Sequence, residues 1–287
     1  MSLLSIENVD YSYAKKTTFE KHVLKKLSLK IEPGSFIGII GHTGSGKSTL
    51  IKILNGLLKP DAGTILYKGE NIWSKNFDLR NFHLDVGVSF QYPEHQLFCD
   101  TVKKDIEYGL INKGVPKEAY ESKIKKTLNI VGLSESYLEK SPFQLSGGEM
   151  RKVALAGTIV LDPEVLILDE PTAGLDPKST QQIYDSLKTY QAQTNSSIIV
   201  VSHSMEDVSE YVTDIVALDD GQILLQGKPD QVFDNAEKLK KVGLDVPITT
   251  NILRLLAKDN PSVNTNIYRY EDTKLEISRL LKDAILK

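Results

Sequence analysis

GHTGSGKST, residues 41–49, is a glycine-rich turn set between the apolar run Phe36 to Ile40 and a helix-like segment that starts near Lys47. Strand, loop and helix in that order let backbone N–H groups and a helix N-terminus converge on an anion. Gly41, Gly44 and Gly46 allow the backbone to approach phosphates. Lys47 is placed to reach the β- and γ-phosphates and Ser48 to ligate a magnesium ion that bridges them. Thr43, Ser45 and Thr49 belong to the same nucleotide-contacting stretch. The spacing Gly-x-x-x-x-Gly-Lys-Ser/Thr arises by chance in about one chain of this length in a hundred. The patterning on either side lowers that further.

A second segment, VLILDEP at 165–171, turns phosphate binding into an expectation of hydrolysis. Val165 to Leu168 read as a short strand buried on both faces, and its polar end delivers Asp169 and Glu170 side by side. Asp169 is the expected magnesium partner and Glu170, one residue on, the general base that polarises the attacking water. His203 follows the β-branched run Ile198 to Val201, so it also emerges at a strand end, where α/β sheets place ligands. A lone histidine there is more often structural. Beside the other motifs it is read as a γ-phosphate contact that helps hold the water. Gln91, after the alternating segment Leu84 to Phe90, is the remaining polar candidate near metal and water.

LSGGE at 145–149 joins these segments in an order that resembles the ATP-binding cassette (ABC) family, over residues 3 to about 230. The resemblance implies that Ser146, Gly147, Gly148 and Glu149 contact the γ-phosphate of a nucleotide held by a partner subunit. A helix-like run from Glu149 to Leu161 makes an anion site there physically reasonable. It further implies that Asp176, in AGLD, lies at a dimer interface and that Tyr13 stacks on adenine. Tyr11, on the same strand face, competes with Tyr13 for that role.

The chain has 287 residues, 40% of them hydrophobic, and a net charge of −3. That length supports a sizeable α/β core with a smaller appendage, and the charge balance leaves no electrostatic footprint for nucleic acid. Cys99 is the single cysteine, so no disulfide framework exists. No run approaches the roughly 18 to 20 apolar residues of a membrane helix, and MSLLSIENVD lacks the basic flank and apolar core of a secretory signal. The expected location is the cytoplasmic face of the cell membrane, peripheral and through a partner.

Along the chain, Ser2 to Val9, Leu24 to Ile31 and Thr64 to Tyr67 read as strands of an N-terminal antiparallel sheet. Residues 97–160 are mostly helical, with Tyr120, Ile124, Leu128 and Val131 at helical spacing, and form a helical subdomain carrying the signature. The fold class is therefore α/β: a P-loop ABC ATPase core at 1–227 with an antiparallel β subdomain, and a small, mainly helical extension at 228–287. Ile277, Leu280, Leu281, Ala284 and Ile285 share one face of the last helix. That face suits packing on the cassette and dimerisation about equally.

QYPEHQLFCDTV at 91–102 points to a branch of the family: it resembles the second ATPase of energy-coupling factor (ECF) transporters, which take up vitamins and some metal ions. In that family the stretch lines a groove for basic coupling helices, which implies Glu94 as an acidic contact. KVGLDVP at 241–247 resembles the family's extra dimerisation region. Tyr92 stands where Phe is common, His95 replaces a small residue and Glu149 replaces Gln. The resemblance implies ATP and Mg2+ as cofactors. As partners it implies a second, non-identical ABC ATPase, a transmembrane coupling subunit and a substrate-binding membrane subunit. A homodimeric ATPase of a dedicated metal or biotin importer is the alternative. A non-transport ABC ATPase is less consistent, since neither a coiled-coil insertion nor a second cassette is present.

Overall fold

The computed structural model describes residues 2–285, and side chains as far as Asp283. The chain falls into two compact units, and the division does not follow position 227. Residues up to Ser35 with Ser48–Val201 form one unit; Phe36–Lys47 with residues from Ser202 onward form the other.

In the first unit β1 (Leu4–Tyr13) pairs antiparallel with β2 (Lys21–Ile31) and with β4 (Ala62–Tyr67), which continues into the short β5 (Glu70–Asn71). Leu4, Ile6, Leu24, Ile31 and Ile65 are fully buried in this sheet. Its strands begin earlier or run longer than alternation suggested, β1 reaching Tyr13. A parallel ladder, β6 (Val86–Ser89), β7 (Val165–Asp169) and β8 (Ser197–Val201), supplies the other sheet segment of the unit. All of β8 and the first four residues of β7 are buried, as expected for parallel strands covered on both faces.

The helices of this unit are α1 (Lys47–Leu54), α2 (Leu79–Asp85), α3 (Val102–Lys113), α4 (Tyr120–Val131), α5 (Gly147–Ile159) and α6 (Pro177–Thr194). Helix α2 runs through Leu84 and Asp85, where alternation suggested a strand. Asp78 caps its N-terminus by accepting from Asn81 N–H, and burial of Phe82 fixes the helix, so β6 starts only at Val86. Helices α3 and α4 stop at Gly114 and Gly132, both left-handed, as the glycine stop at 132 anticipated.

The second unit is built on β3 (Phe36–Gly41), every residue buried, which pairs parallel with β9 (Asp214–Asp219); β9 in turn pairs antiparallel with β10 (Gln222–Gly227). This pairing gathers the phosphate-loop strand with the C-terminal part of the chain. Then come α7 (Met205–Tyr211), α8 (Pro229–Phe233), α9 (Ala236–Lys241), α10 (Ile248–Ala257) and α11 (Tyr270–Ile285). Thr249 and Thr250 donate to the carbonyls of Tyr268 and Ile267, and Arg254 donates to that of Phe233, fixing the extension internally. Of the expected apolar face on α11, Ile277 and Leu280 are half-buried and Leu281 exposed; the side chains of Ala284 and Ile285 lie outside the described residues.

Candidate active site

In the second unit the phosphate loop leaves β3 at Gly41 and is held by its own backbone. A Cβ on Gly41 would come within 2.8 Å of the Leu218 carbonyl oxygen and 2.4 Å of Ser45 Oγ, so only glycine fits. Gly44 and Gly46 have φ of +88° and +107°, a conformation that other residues adopt only with strain. Ser45 N–H donates to the His42 carbonyl, and Gly221 N–H to that of Ser45. Lys47 Nζ donates to the carbonyls of Gly41 (2.6 Å) and His42 (3.0 Å), which holds the ammonium over the loop. The His42 ring bridges Thr43 O at 2.8 Å and Asp219 Oδ1 at 3.1 Å, a brace the sequence reading missed. His203 belongs to this unit: Ser202 N–H donates to Ile39 O, so His203 follows directly on a contact with β3 and is exposed. Ser204, next along, caps α7.

The first unit holds Ser48, Thr49, Tyr13, Gln91, Asp169 and Glu170. Tyr13 Oη lies 3.3 Å from Thr49 Oγ1, which sets the ring beside the first turn of α1, while Tyr11 packs edge-on against Tyr13 at 4.9 Å. Asp169 closes β7 opposite Val201, and Glu170 N–H donates to the Val201 carbonyl. Glu170 takes a left-handed φ of +50°, a conformation uncommon for non-glycine residues. Gln91 Nε2 donates to Glu170 Oε2 at 3.4 Å, so two of the expected catalytic groups meet. Ser48, Asp169 and Gln91 offer hydroxyl, carboxylate and amide oxygens. That donor set fits a hard, oxygen-seeking ion such as magnesium, which is held by few protein ligands plus phosphates.

The signature opens α5. Ser146 is its N-cap, with Glu149 completing a capping box: Ser146 N–H donates to Glu149 Oε2 at 2.9 Å, and Glu149 N–H donates to Ser146 Oγ. Tyr137 Oη adds a bond to Glu149 Oε1 at 2.6 Å. The hydroxyl of Ser146, the phenol of Tyr137 and the backbone N–H of Ser146 hold the Glu149 carboxyl down at about 2. Glutamate therefore does at this position what glutamine does in a capping box, with a charge added at the positive end of the helix. A Cβ on Gly147 would meet nothing within 4 Å, so the packing of this chain does not require glycine there. Asp176 caps α6, accepting from Lys178 N–H, Ser179 N–H and Ser179 Oγ.

Glu94 is the residue whose position departs most from expectation. Its carboxylate does not reach out toward a partner; Oε1 is 2.6 Å from Arg151 Nη2, with the two side chains 13% and 4% exposed. Pro93 is buried and turns the 3₁₀ segment Pro93–Gln96 inward at this point. The groups this segment does present are Tyr92, 44% exposed, and Phe98, 61% exposed, with His95 beside them. Two of the three family departures, Tyr92 and His95, stack on each other at 5.6 Å. Arg151 was not singled out from the sequence. Its signal was there: Arg151, Leu155 and Ile159 occupy one buried stripe of α5 at i, i+4 and i+8.

The family pattern described as ABC transporter matches residues 24–173. The energy-coupling factor transporter ATP-binding protein of Acetivibrio thermocellus is 43% identical over 98% of this chain and 99% of its own length. That of Bacillus subtilis is 45% identical over 93% and 98%. Among solved structures, cbiO1 of Clostridium perfringens, part of the ABC transporter complex cbiONQ, superposes with a TM-score of 0.75 at 35% identity, covering 84% of this chain and 94% of that one. A dimeric ATP-binding cassette in a post-hydrolysis state with ADP and Pi gives 0.69 at 28% identity, covering 78% and 98%.

Proposed function

The chain belongs to the ABC transporter family, and from that premise we propose that it is an ATP-hydrolysing subunit of an ECF-type importer for vitamins or other micronutrients. One observation carries this. Similarity to the energy-coupling factor relatives runs through nearly the whole chain, so it includes the C-terminal extension as well as the cassette that all ABC proteins share. No helix among the described residues is long and apolar enough to cross a membrane, so the work on substrate is done through a membrane partner.

In this reading Gly41 to Thr49 wrap the phosphates of ATP, Lys47 neutralises the β- and γ-phosphates, and Tyr13 stacks on the adenine. Ser48, Asp169 and Gln91 are the residues that would hold magnesium, which supplies charge neutralisation at the transferring phosphoryl group. Glu170 takes a proton from water, Gln91 orients that carboxylate, and His203 contacts the γ-phosphate. Ser146, Gly147, Gly148 and Glu149 serve the nucleotide of a partner cassette. Support for that in-trans role is Gly147, small without any need of it in its own chain. Asp176 faces the same partner. Residues 228–287 act in dimerisation: Ile248, Ile252 and Leu255 lie on one side of α10 and are 60%, 40% and 60% exposed. The partners are a second, non-identical ATPase, a transmembrane coupling subunit that docks on Tyr92, His95 and Phe98, and a substrate-binding membrane subunit. The second reading is a homodimeric ATPase of a dedicated metal or biotin importer; cbiO1, part of another ABC transporter complex, resembles the chain at 35% identity.

Purification of the native complex from membranes in mild detergent, with mass spectrometry of what accompanies the chain, tests this. A second cassette ATPase together with membrane subunits is the expected result. Recovery with only copies of itself beside a membrane subunit would replace it with the homodimeric reading, and recovery without any membrane protein would overturn transport.

A further inference from the structure

We propose that Arg151 is a positioning residue that mechanically joins the Tyr92–Gln96 segment, the signature helix and the backbone behind Glu170, so that docking on that segment sets the rate of ATP hydrolysis. The inference rests on the ATPase reading above and adds a residue and a route to it. Arg151 stands on α5, five residues after Ser146 in the sequence. Its guanidinium makes four contacts. Nη2 bonds Glu94 Oε1 at 2.6 Å, Nη1 donates to the carbonyls of Pro171 (2.9 Å) and Ala173 (3.2 Å), and the group lies 5.8 Å from the Tyr92 ring centroid. Pro171 and Ala173 are the residues that follow Glu170, and Asp176 comes three residues after Ala173. One buried, planar cation thus spans three segments that carry separate chemical roles.

Two further observations favour a joint that moves over a static brace. Tyr92 and Glu170 both sit in the left-handed region, at φ +55° and +50°, so strained residues lie at both ends of the connection. Glu94 Oε2 and Arg151 Nε are both buried and lack hydrogen-bond partners among the described residues. A guanidinium and a carboxylate ordinarily form a two-bond fork, and here only one bond is made. Completing the fork requires the Pro93–Gln96 turn to shift against α5. A partner that presses on Tyr92, His95 and Phe98 supplies that shift, and Arg151 passes it to the carbonyls behind Glu170. Gln91, next to Tyr92, meets Glu170 directly, so the segment reaches the catalytic carboxylate by two routes. Displacement of a reacting group by about 1 Å changes rate by about 100-fold, so a small movement is enough.

The test uses the complex purified with its membrane subunits and the ATPase subunits separated from them, with MgATP as the probe. The double variant Arg151→Met with Glu94→Met removes the joint while replacing a buried ion pair by side chains of similar volume, a change that folds tolerate. Arg151→Lys keeps the charge but cannot span the same carbonyls and carboxylate. The expected double variant keeps KM for ATP within about twofold, loses about tenfold or more in kcat within the complex, and no longer responds to the membrane subunits. Arg151→Lys should fall between it and the parent. A folded double variant with unchanged kcat and unchanged response overturns the proposal. So does a loss of kcat that comes only with a matching rise in KM and a lowered melting temperature, the signature of a merely structural pair. Absence of ATP turnover in the unmodified complex would instead sink the ATPase reading itself, before any variant is made.

Discussion

The phosphate loop and the Tyr92–Gln96 segment are both short, irregular and close to strand ends, yet they are held by opposite means. The loop between Gly41 and Lys47 is held by its neighbours in sequence, by backbone groups of β9 and the turn after it, and by the Asp219 side chain, which meets the His42 ring. Lys47 binds carbonyls five and six residues back, Ser45 binds His42, and Gly41 leaves room for the Leu218 carbonyl. The Tyr92–Gln96 segment hangs on Arg151, 57 residues away, through a buried ion pair with unsatisfied atoms on both partners. Bonding that is mostly backbone gives a cradle whose shape is set by main-chain geometry. A long-range charged contact gives a segment whose position depends on what else the arginine holds. The first arrangement suits recognition of a fixed ligand, and the second suits transmission.

The contrast can be broken at several points. Replacing Glu170 by Gln should have the largest effect: turnover should fall by about 100- to 10,000-fold with ATP binding retained, as measured by steady-state hydrolysis and nucleotide titration. Near-normal turnover would remove Glu170 as the base. Arg151→Met alone strands Glu94 as a buried, uncompensated charge and should cost about 3–5 kcal/mol in denaturant unfolding, whereas the double Met variant recovers most of that. Equal destabilisation by both would mean that packing, and not charge, holds the segment. In the phosphate loop the cost should follow backbone clash: Gly41→Ala meets the Leu218 carbonyl and should abolish nucleotide binding. Gly44→Ala meets no atom within 4 Å and faces only backbone strain of about 1–3 kcal/mol. Nucleotide affinities of the two variants measure the difference.

Acid provides a gentler probe, and it reaches the extension. Bonds from the Arg279 guanidinium and from Asn264 N–H hold the Glu276 carboxyl at about 2, below its ordinary 4.5. A carboxyl held down in the folded state contributes stability above its ordinary value, and that contribution is lost as pH falls from 4.5 towards 2. Glu276→Gln should therefore flatten the pH dependence of unfolding in that window and leave it unchanged at neutral pH apart from a constant offset. The smallest effect is expected from Glu149→Gln. The capping box survives because glutamine also accepts from the Ser146 N–H, so the cap should hold, and the loss should be confined to the charge that Ser146 and Tyr137 hold down and to a flatter pH dependence below 4.5. A large loss would show that the charge, and not the cap, is what Glu149 contributes.

Local pattern was enough to place the phosphate loop, the Asp169–Glu170 pair and the signature N-terminus, because each is a run of adjacent residues on a strand–loop or loop–helix junction. The glycines at 41, 44 and 46 declared a backbone that others cannot follow, and the hydrophobic run before Asp169 declared a doubly covered strand. Pattern misjudged the segment at 84–85, where the Asp78 cap and the burial of Phe82 extend a helix into residues that alternate like a strand. It also misplaced Glu94, since whether a carboxylate on a one-turn 3₁₀ segment faces water or protein depends on what lies behind it. Behind it lies Arg151, on a helix that follows 57 residues later. The sequence by itself determined which residues stand at the strand–loop and loop–helix junctions, because short-range backbone geometry dictates them. Tertiary structure alone decided how Arg151 ties Glu94 to the carbonyls of Pro171 and Ala173, just after Glu170. That tie is an electrostatic contact between distant elements, and no local propensity encodes it.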